Sequence, residues 1–93
     1  MPDLVFEIWK DDANSSSQMS MVHPQTDRSR RIVSPSAVLV HNFTASSDFQ
    51  AFRHNNAWRG FEPWTPPEGD EEHFFTEEEA ATQRAYLRDR KIG

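Results

Sequence analysis

The sequence predicts an α+β fold: a small single domain whose three-stranded antiparallel sheet, in spatial order 2-1-3, is covered by one helix over about 48–58, with a C-terminal helix over about 77–90. Three observations carry this reading. Runs of branched, aromatic and alternating residues at 4–9, 18–22 and 37–44 have the length of strands. Ser47 followed three residues later by Gln50 is a helix-start signal, and so is Thr76 followed by Glu79.

The first run, Leu4-Val5-Phe6-Glu7-Ile8-Trp9, places Leu4, Phe6 and Ile8 on one face, and only that face reads as core-directed. Lys10 to Ser17 has the composition of a long exposed loop, about eight residues, so turn chemistry does not set the hairpin register. Gln18-Met19-Ser20-Met21-Val22 alternates as a half-buried strand until His23-Pro24 stops it. A short helix follows over 27–33, capped by Thr26 or Asp27 and ended by Pro35. The continuous apolar start of 37–44 reads as a strand buried on both faces, mid-sheet or covered on both sides, with His41 on the same face as Leu39 and Phe43.

The helix over 48–58 ends at Gly60, a residue suited to the left-handed position past a last turn. Three prolines then keep 61–69 extended, with Phe61 and Trp64 laid against the domain. Thr76, Glu79 and the acids of the first turn start the last helix, and its arginines lie toward the negative end of the dipole. The expected core is Leu4, Phe6, Ile8, Met19, Met21, Val38, Val40, Phe49, Phe52 and Trp58, sealed by Phe61 and Trp64. The pattern divides the chain into a compact part, 1–64, and an acidic linker with the C-terminal helix, 65–93, partly docked or mobile.

Ninety-three residues with mean hydropathy −0.83 and no cysteine leave no disulfide, thiolate metal site or cysteine nucleophile. The longest apolar run is Ala37 to Val40, too short to cross a membrane, and the N-terminus does not read as a secretory signal; a cytoplasmic protein is expected. The net charge of −5 disfavours non-specific binding to nucleic acid or anionic lipid. Seven acids fall between Glu68 and Glu79, and Arg84, Arg88, Arg90 and Lys91 follow them.

No cofactor, metal site or catalytic residue is expected, and a non-catalytic protein is favoured over an enzyme. His23, His41, His54 and His73 share no local ligand spacing, Asp11 to Ser16 lacks the glycine and glutamate of a calcium loop, and no serine stands in a nucleophile elbow. Arg53, Arg59, Trp58 and Trp64 would make an aromatic and cationic platform for a base, but the aromatics are assigned to the core.

The expected function is a small interaction or accessory domain that engages another protein through its acidic tail and C-terminal helix. Arg28, Arg30, Arg31, Trp64, Tyr86 and Leu87 are the candidate partner-binding residues, and a homodimer through a sheet edge is a further possibility. Two alternatives stand beside this: a nucleic-acid-associated regulator using Arg28, Arg30 and Arg31, and a small enzyme or ligand binder around His41 and His54, which lie on neighbouring elements.

Overall fold

A computed structural model describes residues 2–90; residues 1 and 91–93, and with them Lys91 and the end of the predicted C-terminal unit, lie outside the described residues. The elements are β1 (Leu4–Asp11), β2 (Ser16–Met21), α1 (Pro24–Val33), β3 (Val38–Ala45), α2 (Asp48–Arg59) and α3 (Glu77–Asp89). They form an α+β domain with one antiparallel sheet in the order β2-β1-β3, as the sequence predicts.

The β1–β2 hairpin is tighter than its composition suggests. Asp11 accepts from the Ala13 amide and the Asn14 side chain, a side-chain mimic of a backbone turn, and Ser15 takes a left-handed φ of 51°, so the loop closes over Asp12 to Ser15. Pro24 does not merely end β2; it opens α1 at a position where its missing N–H costs nothing. The cap is His23, whose Nδ1 accepts from the Gln25 amide at 3.1 Å, rather than Thr26 or Asp27. The α2 cap is Ser47, as predicted, but Gln50 reaches back to the Ser46 amide and hydroxyl, which leaves the Ser47 hydroxyl to donate to Glu72. Gly60 closes α2 at φ 76°.

One face of the sheet is the apolar core. Leu4, Phe6 and Ile8 meet Phe43 and Ala45 of β3, Ala51 of α2, and Phe75 and Ala80 from the C-terminal segment, with Met19 and Met21 packed at the side. Phe49 is buried as predicted, whereas Val38, Val40, Phe52, Trp58 and Phe61 are exposed and Trp64 is half-buried. The reason is geometric. The central strand is β1, so β3 is an edge, and its apolar run is not enclosed by neighbours. A bulge opposite Ile8 and Trp9 leaves Val40 without a partner and puts Leu39, not Val40, across from Trp9.

The second face of β1 is buried too, by charge. Glu7, Asp27 and Arg30 are buried, and Arg30 lies flat on Trp9 with 3.6 Å between the guanidinium carbon and the ring centroid. Arg90, with only 4% of its side chain exposed, donates to both Glu7 oxygens at 2.7 and 2.6 Å and to both Asp27 oxygens at 2.8 Å. Tyr86 donates to Asp27 as well, and the Trp9 indole donates to Glu7 at 3.0 Å. Two carboxylates and two guanidiniums make this cluster neutral, which is what lets a polar face be enclosed.

The segment after α2 runs back along that helix. Trp64 packs on Phe49 and Phe52 with ring centroids 5.1 and 5.0 Å apart, and Phe75 donates its amide to the Ser46 carbonyl. From there α3 docks through Ala80 and Gln83 on its way to Arg90. Its capping box, Thr76 with Glu79, forms as predicted.

Candidate functional site

Two spacings converge where α2 crosses β3. Residues two apart on a strand share a face, which pairs His41 with Phe43; residues four apart on a helix share a face, which pairs His54 with Trp58. The four rings interleave. His54 stacks on Phe43 with centroids 4.0 Å apart and planes 16° apart, and Trp58 stacks on His41 at 4.7 Å and 14°.

Between the stacks the two imidazoles meet nitrogen to nitrogen, Nε2 to Nε2, at 2.9 Å. Their planes differ by 9° and their centroids are 5.2 Å apart. That separation is the nitrogen–nitrogen gap plus the two ring radii, so centroids and nitrogens lie on one line and the rings are coplanar, head to head. In the neutral pair one Nε2–H donates to the other, bare Nε2. Partial desolvation of its ring, and then the proximity of His41, hold His54 below the ordinary imidazole range, because protonating both rings would set two cations nose to nose.

Next to this pair lies an open trough of about 730 Å³ between the β1–β2 hairpin, β3 and the C-terminal end of α2. Val40, Trp58 and Phe61 form its apolar wall, Arg59 and the Lys10–Asp12 ion pair at 3.6 Å its charged one, with serines of the hairpin opposite. Trp58 is 45% exposed and Phe61 59%; both belong to this rim, not to the core that the sequence reading assigned them to. Beside them the outer edge of β3 is free: among the described residues no backbone group of 38–45 is bonded outside the ladder to β1.

The six candidate residues from the sequence do not assemble into one surface. Arg28 is exposed, as is Arg31, while Arg30 is turned inward onto Trp9 and Asp27. Tyr86 is engaged with Asp27, where burial and that hydrogen bond raise its phenol above the usual range. Leu87 is half-buried on α3, and Trp64 grips the opposite side of α2. The acidic segment is partly engaged as well, since Glu72 accepts from Ser47, and Glu79 accepts from the Thr76 amide and lies 2.9 Å from His73.

Among the described residues no group of three or more His, Cys, Asp or Glu side chains is arranged to hold a metal, and no helix is long and apolar enough to cross a membrane. Comparison with protein-family models, with curated proteins and with solved structures finds no match.

Proposed function

We propose that the protein is a small non-catalytic interaction domain that captures an extended segment of another protein along the outer edge of β3. The observation that supports this best is the apolar character of that edge: Val38 and Val40 are 55% and 40% exposed, and the strand's outward N–H and C=O groups have no partner among the described residues. Natural sheets protect such edges with charge, proline or a covering element, and β3 carries no charged residue and no proline. A strand added there gains main-chain hydrogen bonds, and its alternate side chains reach the trough walled by Val40, Trp58 and Phe61. Arg59, beside a Lys10 already paired with Asp12, favours a segment that carries an acidic residue among its apolar ones. The exposed acids of the linker, Glu68, Asp70 and Glu71, take no part in this contact.

Selection of random peptides on the immobilised domain tests the reading. Enriched peptides are expected to alternate apolar residues with at least one acid, to protect β3 amides from hydrogen exchange, and to bind about tenfold or more weakly to Val40→Lys and Trp58→Ala variants. Absence of enrichment, or peptides that bind both variants equally and protect α3 instead, would overturn it. A ligand binder centred on His41 and His54 is a second reading, favoured by their head-to-head contact.

A further inference from the structure

From the geometry of the His41–His54 pair we infer a two-coordinate binding site for a soft monovalent cation, Cu(I) being the physiological candidate. This stands apart from the docking of a partner strand and rests on different observations. The two Nε2 atoms face each other along one line within one plane, so their lone-pair directions are collinear. A hydrogen bond uses that line for a proton. A d¹⁰ cation that prefers two ligands at 180° uses the same line, and imidazole is among the ligands that suit copper.

The surroundings select against other metals. A closed zinc site needs four donors, and calcium or magnesium needs a shell of oxygens, whereas no third His, Cys, Asp or Glu joins the pair among the described residues. The rings are also restrained in the useful direction. Phe43 lies against His54 and Trp58 against His41, so the imidazoles are held flat and are freer to slide within their plane than to splay out of it. With metal–nitrogen bonds of about 2.0 Å the nitrogens need to stand about 4 Å apart, a retreat of roughly 1 Å from the 2.9 Å of the hydrogen bond. His54 is exposed and can supply that movement by turning its side chain.

The protons balance without an outside acid or base. In the neutral pair the donor ring carries its proton on Nε2; on binding, that proton moves to Nδ1 of the same ring and both Nε2 atoms coordinate. No electron is transferred, because the cation enters already in its reduced form.

The test uses Ag(I), a redox-inert stand-in, titrated into the full chain in chloride-free buffer and followed by ¹⁵N NMR of the imidazole nitrogens and by tryptophan fluorescence. The Nε2 resonances of His41 and His54 are expected to shift together and saturate at one equivalent, with quenching that a Trp58→Phe substitution removes. His41→Gln and His54→Gln are each expected to weaken binding by about tenfold or more, and His23→Gln and His73→Gln to leave it unchanged. If either glutamine variant at 41 or 54 fails to fold, the wild-type resonances still decide. Ag(I) that shifts only methionine methyls, or all four histidines alike, overturns the inference.

Discussion

Arg90 satisfies two buried carboxylates at once, Glu7 on the central strand and Asp27 on α1, from a position one residue past the last helix. Burial by itself would raise both carboxyls; the hydrogen bonds from Arg90, joined by Trp9 at Glu7 and by Tyr86 and Arg30 at Asp27, outweigh it and hold both below their ordinary values. Replacing Arg90 by Met strands those charges, and urea denaturation is expected to show a loss of about 3–5 kcal/mol; a loss under about 1 kcal/mol would show that the network contributes little. The signs set the pH response. Carboxyls depressed in the native state add stability that is full above their unfolded values of 4.5 and 3.8 and is lost as pH falls below them. The depressed His54 adds stability that is full above 6.5 and starts to be lost below it. Melting temperature is therefore expected to fall in two stages on acidification: His54→Gln removes the first, and Arg90→Met flattens the second. A single stage unchanged by either substitution would contradict both assignments. Arg30 and Arg90 resemble surface charges in sequence because the groups that enclose them, Trp9 against Arg30 and Glu7 and Asp27 around Arg90, lie far along the chain.

At the scale of elements, Gln83 clamps α3 to the sheet. Its amide accepts from the Val5 N–H at 2.7 Å and donates to the Val5 and Val22 carbonyls at 3.0 Å, standing in for a strand where β2 has ended. A Gln83→Leu substitution fills the same space but leaves the Val5 N–H and the Val22 carbonyl unpaired, while the Val5 carbonyl keeps the Val22 amide, and a loss of about 1–3 kcal/mol is expected, with faster hydrogen exchange at Val5; unchanged exchange there would refute the clamp. The helix starts at Ser47 and Thr76 were legible because capping is local: the donor and acceptor lie within three residues. The roles of β1 and β3 were not. An apolar run has the same pattern whether it is enclosed by neighbouring strands or exposed as a docking edge, and β1, interrupted by Glu7, gave no sign that a distant Arg90 would neutralise its polar face.

For the molecule as a whole, α3 is part of the folded unit. Ala80 belongs to the apolar cluster on one face of the sheet and Arg90 to the charged cluster on the other, so the C-terminal segment ties both faces together. A chain ending at Thr76 loses Ala80, Gln83, Tyr86 and Arg90 together, and is expected to give no cooperative thermal transition by circular dichroism; a transition within a few degrees of the full chain would instead support a division at residue 64. The sequence alone determined the number and type of the main elements, the caps of α2 and α3 and the order of the strands, since these follow from periodicity and from hydrogen bonds between near neighbours. Tertiary structure alone decided that the apolar run of β3 stays exposed at an edge, which arginines are buried and that His41 meets His54. Each depends on groups brought together from distant parts of the chain, and no local pattern records a distance that only folding creates.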